Sequence, residues 1–229
     1  MSEEVRQMFA SISGRYDLIN TVLSFGTHHW WRRKAVRLSG VKEGMNVLDC
    51  ATGTGDLAIA FKKAVGAKGR VTGTDFCPEM LEPAPRKARR KGLDIHWEVA
   101  DAMNLPFEND RFDLASIAFG IRNVDDPVTA LSEMGRVVKP NGKVLILEFG
   151  QPSGWMKYPF RWHSKYVIPV LGGLLSGNRK AYQYLPETSA AFPAGKLFLG
   201  SMHKTGRFKR VESHSLMQGI AYIYIGIVL

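Results

Sequence analysis

The chain has 229 residues, 45% of them hydrophobic and 23% charged, which suits one well-cored α/β domain and leaves little room for two. Two cysteines, Cys50 and Cys77, supply no disulfide framework and no cysteine metal site, so a reducing cytoplasm is the expected setting and no metal is expected. The formal charge of +10 favours an anionic neighbour, but the acidic start MSEEVRQMF is no secretory signal, and the longest apolar run, 220–229, is about half a membrane span.

Val5, Met8, Phe9 and Ile12 recur at helical spacing; a break at 14–20 and a second helix over 29–38 complete an N-terminal helical cap, residues 1–40. From Met45 the pattern changes. Residues 46–51 form a short apolar run ending in Thr52-Gly53-Thr54-Gly55, which predicts a buried strand and a turn. A helix over 56–65 follows, opened by Asp56 at the positive end of its dipole. Strands are predicted at 70–75, 95–100, 112–118 and 143–148. A helix at 126–138 precedes the last of these, and a basic stretch up to Lys91 follows the first. There Pro83 and Pro85 predict a short or broken helix. Strands alternating with helices imply a parallel sheet covered on both faces. Residues 210–218 and 220–228 read as a hairpin closing one edge, its last strand antiparallel. The core thus spans 41–150 and the strand pair lies in 206–229. Between them, 151–205 form an inserted helical segment where open sheets bind substrate, and all four parts make one domain.

The loop 50–56 follows the first strand directly, and Gly53 and Gly55 let its backbone approach a ligand closely. Asp75 follows Gly53 by about 20 residues, placing a carboxylate for ribose hydroxyls. That much suits NAD and S-adenosylmethionine equally. Asp49 and Asp56 bracket the loop with negative charge, which disfavours a pyrophosphate and favours a sulfonium. Asp101-Ala102 after the third strand and Phe112-Asp113 at the fourth complete an ordered set that selects S-adenosylmethionine as cofactor.

Tyr16-Asp17-Leu18-Ile19-Asn20 with Ser24-Phe25-Gly26-Thr27-His28-His29-Trp30-Trp31 resembles the first signature of the ubiquinone/menaquinone biosynthesis C-methyltransferases. The stretch from Arg136 to Gly142, leading to Glu148-Phe149, is similar to their second signature. Phe119-Gly120-Ile121-Arg122-Asn123-Val124 and the stretch from Ala181 to Thr188 match two further segments, so the resemblance covers nearly the whole chain. It departs from the pattern at Ile19, where Met is usual, and at Asn141, which replaces a Gly and tolerates positive φ. Ala118 stands where some members place Ser.

The resemblance implies the class I S-adenosylmethionine-dependent methyltransferase fold: Rossmann-like α/β, with a mostly parallel seven-stranded sheet whose last strand is antiparallel. It implies methyl transfer to a ring carbon of a demethylated polyprenyl quinol, demethylmenaquinol foremost. Thr54, Asp75, Asp101 and Ala102 are then the positions that contact the cofactor, beside the loop glycines Gly53 and Gly55. Tyr16, Asn20 and Asn123 are the candidates for binding the substrate, with pinning of the N-terminal helices over the sheet as the other reading of Tyr16 and Asn20. The reaction needs a proton taken from the quinol hydroxyl. Arg122, too basic to be a base, would stabilise the phenolate or organise waters, or would instead pair with Asp125 or Asp126. His28 is either a direct base or a structural histidine.

A polyprenyl substrate brings in the membrane. Residues 155–175, rich in Trp, Tyr, Phe and Leu and carrying Lys157, Arg161 and Lys165, have an interfacial composition, predicting peripheral contact with the inner face of the cell membrane; a plain core cover is the other reading. A homodimer is compatible with the chain. Competing readings are a same-fold methyltransferase with another acceptor, such as a phospholipid amine, and an NAD-dependent reductase. Nucleic acid is not expected, because no groove-reading helix or stacking platform is found.

Overall fold

Seven strands form one sheet in the order β3-β2-β1-β4-β5-β7-β6 in this computed structural model, which describes residues 3–229 less the side chains of 179–181 and 183. They are β1 (Asn46–Cys50), β2 (Arg70–Asp75), β3 (His96–Val99), β4 (Phe112–Ala118), β5 (Val138–Phe149), β6 (Phe208–Leu216) and β7 (Ala221–Val228). β1 to β5 pair in parallel, and β7 is antiparallel to both β5 and β6. The predicted sheet and its antiparallel last strand are therefore present, and β7 is slotted inside β6.

Strand alternation divides the core into two layers. Leu48, Ile117, Ile146 and Tyr224 face α7 (Pro127–Val137) and α11 (Lys196–Lys204), packing on Met134, Phe198 and Met202. Val47, Leu114, Leu145 and Ile223 face the other way, onto Phe61 of α4 (Asp56–Val65) and Trp31 and Ala35 of α3 (Thr27–Ser39). The Asp126 side chain accepts the Val128 N–H at the start of α7, with Pro127 in the first turn, a strong helix-start signal. After β2 the chain makes two short helices, α5 (Pro78–Leu81) and α6 (Pro83–Arg89), as the prolines required. Asn141 takes φ 66°, the conformation its substitution for Gly demanded.

Two predictions are corrected. The break at 14–20 shrinks to a 3-10 turn at Ser13–Arg15, and Tyr16–Leu23 is a helix, α2, following α1 (Glu3–Ile12). Burial of Ile19 and Leu23 outweighs the local break signal of Gly14. Secondly, α11 belongs to the sheet layer rather than to the inserted cover, because Phe198 and Met202 are fully buried in the core. The cover proper consists of α8 (Lys157–Trp162), a π-helical turn (His163–Val167), α9 (Ile168–Ser176) and α10 (Arg179–Ala191). It meets the N-terminal helices in a third apolar cluster of Ile12, Ile19, Leu23 and Tyr182.

Candidate active site

The carboxyl ends of β1, β2 and β4 open onto a cleft whose wall carries Gly53, Asp75, Asp101, Ala102, Asn123 and Tyr16. Gly53 takes φ +55° and donates its N–H to Asp75 Oδ2 at 2.7 Å, while Asp75 Oδ1 accepts the Cys77 N–H at 2.9 Å. The Phe76 N–H also acts on this carboxylate, so of its about four lone-pair sites one remains for a further donor. Burial pushes the Asp75 carboxyl up to about 6, opposed by these amides. Asp101 Oδ1 accepts the Met103 N–H at 2.9 Å, which fixes the carboxylate at the cleft wall.

Thr54 and Gly55 stand apart from that wall. Thr54 donates its hydroxyl to Asp17 Oδ1 at 2.5 Å. Gly55, at φ +83°, is required for packing, since a Cβ there would lie 2.6 Å from the Trp97 ring. The two bracketing carboxylates differ. Asp49 is buried, accepts hydroxyls from Thr52 and Ser116 at 2.6 Å each, and forms no ion pair among the described residues; burial lifts its carboxyl to about 6. Asp56 is instead neutralised by Lys87 at 2.6 Å and Arg32 at 3.0 Å. The bracketing charge near a sulfonium is therefore Asp49 alone of the two. Lys87 also reaches Asp17 at 2.6 Å, tying α2 to the cofactor loop and α6. Sequence reasoning missed this network, although Asp17 lies inside the N-terminal signature.

Across Phe9, Tyr16 and Phe119, which line both spaces, lies an apolar cavity of about 330 Å³. Its walls bring together Tyr16, Asn20, His28 and Arg122 from the predicted set, with Asn123 on the cleft side. Phe119, between the two spaces, holds the unusual φ of 56°. Arg122 is almost fully buried. It donates from Nη1 to the Phe119 carbonyl and to Glu148 Oε1, each at 2.7 Å, and its guanidinium lies 5.3 Å from the Phe149 ring centroid. Its partner is thus Glu148, from the β5 end, and not Asp125 or Asp126 as the chain order suggested. Burial raises the Glu148 pKa, with the Arg122 charge the largest opposing influence.

His28 is buried, and burial together with Arg32 lowers its pKa to about 4, so the ring is neutral at pH 7. Ser24 donates its hydroxyl to the Asn20 carbonyl at 2.6 Å; His28 Nδ1, 2.5 Å from that Oγ, is then the N–H side and Nε2 the acceptor. Tyr16, whose pKa burial raises, shares a hydrogen bond with the Asn20 side chain. Tyr184 donates to Asn123 Oδ1 at 3.3 Å, closing the site from the cover.

Five buried side-chain polar atoms lack a hydrogen-bond partner among the described residues: Trp31 Nε1, Arg32 Nη1, Arg122 Nε, His163 Nε2 and Tyr182 Oη. Arg32 Nη1 does approach Asp56, as an ion pair. Every one of these residues lines the apolar cavity. Buried polar groups are nearly always paired, so a chamber with apolar walls and four residues that keep a buried, unpartnered polar atom suits a largely apolar ligand bearing a few polar atoms.

Solved structures with this fold include an S-adenosylmethionine-dependent methyltransferase from Aquifex aeolicus, 22% identical, with a TM-score of 0.64 over 86% of this chain and 89% of that one. A methyltransferase of Thermotoga maritima, described as a possible histamine N-methyltransferase, has a TM-score of 0.66 at 21% identity over 96% and 98%. Sequence relatives are nearer. The ubiquinone/menaquinone biosynthesis C-methyltransferase of Bdellovibrio bacteriovorus is 53% identical over 99% of this chain and 96% of its own. The demethylmenaquinone methyltransferase of Thermus thermophilus is 46% identical over 96% and 99%. The family pattern that these relatives share runs through residues 1–228, and with it the chain belongs to the ubiE/COQ5 methyltransferase family.

Proposed function

We propose that this protein transfers the methyl group of S-adenosylmethionine to a ring carbon of a demethylated quinol, demethylmenaquinol foremost. The observation that carries this reading is the pairing of two spaces across Tyr16 and Phe119: a cleft built on Asp75 and Asp101, and an apolar chamber with unpaired polar atoms. The cleft fits the cofactor, because Asp75 keeps an acceptor site for a ribose hydroxyl and Asp49, with no ion pair among the described residues, holds a negative charge beside the loop that Arg32 only partly offsets. Gly53, Asp75, Asp101 and Ala102 would hold it, and when bound it supplies the electrophilic methyl group.

The protein's own contribution is alignment and charge placement. The aromatic walls exclude water and hold a flat ring. Arg122, fixed by Glu148 and the Phe119 carbonyl, sets a positive charge in the chamber wall to stabilise a phenolate oxygen. His28, neutral at pH 7 and lining the same chamber, is the second candidate for taking the hydroxyl proton, after Arg122 and the waters it would organise. Asn123 and Tyr184 position groups at the junction of the two spaces.

The working site is the inner face of the cell membrane. No helix among the described residues is long and apolar enough to cross a bilayer. The cover instead exposes Trp155, Tyr158, Trp162, Tyr166 and Leu174, and Phe25 beside them is 80% exposed. Aromatic side chains with Lys157, Arg161 and Lys165 alongside suit the headgroup region. Incubation with methyl-labelled S-adenosylmethionine and either demethylmenaquinol or an ethanolamine lipid tests the assignment. Label in menaquinol supports it, and an unlabelled quinol beside a labelled lipid refutes it. Co-sedimentation with anionic vesicles at low and high salt tests the location; no binding at either salt counts against it.

A further inference from the structure

A second cavity, of about 600 Å³, adjoins the ring chamber and is nearly twice its size. Phe149, Phe160, Ile168 and Leu185 line both, so a single layer of apolar side chains divides them. The remaining walls come from the run α8–π turn–α9 on one side, from Pro186, Glu187, Ser189 and Ala190 of α10 on the other, and from Gln151 and Pro152 after β5. Lys157, Arg161 and Lys165 reach this cavity from the helical run at four-residue intervals, one turn apart, and none forms an ion pair among the described residues. The neighbouring stripe at the same interval is Tyr158, Trp162 and Tyr166, all more than half exposed.

We propose that this second cavity is the subsite for the isoprenoid tail of the acceptor, conducting it from the ring chamber to the surface beneath Lys157, Arg161 and Lys165. The inference rests on the quinol reading above. A ring seated beside Arg122 must let its tail out through the chamber wall, and the single apolar layer of Phe149, Phe160, Ile168 and Leu185 is the boundary that the tail crosses, parting these side chains, into a larger volume. A hydrocarbon tail gains by staying out of water along its whole length. The exit supplies that condition: its cations match lipid phosphates and its aromatic stripe matches the headgroup layer, so the tail passes from bilayer to chamber without crossing solvent.

Ser164 and Ala190 line the second cavity from opposite walls and do not line the ring chamber, so Ser164→Trp and Ala190→Trp each fill the tail space selectively. The assay measures methyl transfer to a series of demethylated naphthoquinols in detergent, with tails from a single isoprene unit upward. KM of the unaltered protein should fall as the tail lengthens. Both variants should lose that gain, with KM for long-tailed acceptors rising about tenfold. KM for the shortest acceptor and calorimetric affinity for S-adenosylhomocysteine should stay within about twofold, which also shows that the variants are folded. Retention of the normal length dependence by both variants overturns the inference, as does an equal loss on every acceptor. Loss of binding to anionic vesicles with the length dependence intact overturns it too, because the space then takes a phospholipid. Failure of the unaltered protein to methylate any quinol is a distinct result, and it removes the functional reading itself.

Discussion

Arg122→Met and Glu148→Leu each remove one charge from a buried ion pair whose side chains are 4% and 1% exposed and whose atoms meet at 2.7 Å. Removing one partner leaves the other charge stranded among apolar groups, a change that costs about 3–5 kcal/mol. Arg122→Met strands Glu148, which lies outside the ring chamber, and should fall near ~5 kcal/mol; Glu148→Leu strands Arg122, which borders the chamber where water can reach it, and should fall near ~3 kcal/mol although the Phe149 N–H also loses its acceptor. The thermal midpoint should drop by roughly 2–4 °C for each kcal/mol in a chain of this size. Replacing both residues together should recover most of the loss, because a hydrophobic pair of similar volume does not carry the desolvation cost. Urea unfolding of the two single variants and the double variant yields the coupling energy. The folded double variant should bind S-adenosylhomocysteine normally and methylate at no more than about 1% of the normal kcat, having lost the fixed charge opposite the phenolate. Single-variant losses below about 1 kcal/mol, or a double variant with normal kcat, would refute the reasoning.

Three further outcomes follow from the site. Burial holds the Asp49 and Asp75 carboxyls at about 6 in the folded chain against an ordinary 3.8; the folded form therefore binds more protons between these values, and both groups contribute stability that is lost as pH rises through about 6. Cofactor affinity runs the opposite way: calorimetry should show S-adenosylmethionine binding weaken as pH falls below about 6, more than S-adenosylhomocysteine binding, and a flat profile down to pH 5 would contradict this. Lys87→Met should leave Asp17 without its 2.6 Å partner and free the N-terminal helices from α6, seen as faster tryptic cleavage within residues 3–26 and a stability loss of about 1 kcal/mol; unchanged cleavage argues against the tie. Gly53→Ala should cost about 1–2 kcal/mol, since φ +55° is unfavourable for an L side chain and its Cβ would stand 3.3 Å from Met80 Cε; unchanged stability and cofactor affinity would show that the turn relaxes freely.

Much of the cofactor cleft was legible in the chain. Gly53, Asp75, Asp101 and Ala102 fall at strand ends, and a parallel sheet places strand ends side by side, so linear order translates into proximity. The acceptor chamber was legible only as a set of candidates. The signatures point to Tyr16, Asn20, His28 and Arg122, while nothing local marks Trp31, Tyr182 and His163 as walls of the same chamber or Glu148 as the anchor behind Arg122. Their packing depends on helices from the two flanking segments closing against each other, and no local period encodes that contact. Asp56 shows the same limit: as a sequence position it is a negative charge at the loop, and in the folded chain Lys87 and Arg32 cancel it.

By itself the sequence determined the alternation of strands and helices, the glycine turn after β1, the broken helix at Pro83 and Pro85, and the antiparallel end of the sheet. These follow from periodicity and from backbone restrictions that act within a few residues. Tertiary structure alone decided that Tyr16–Leu23 is helical, that Arg122 pairs with Glu148, that Lys87 gathers Asp17, Thr54 and Asp56, and that two apolar cavities share a wall. Each of those outcomes turns on burial and charge partners brought from far along the chain, where the energy of a contact is set by what surrounds it rather than by its neighbours in sequence.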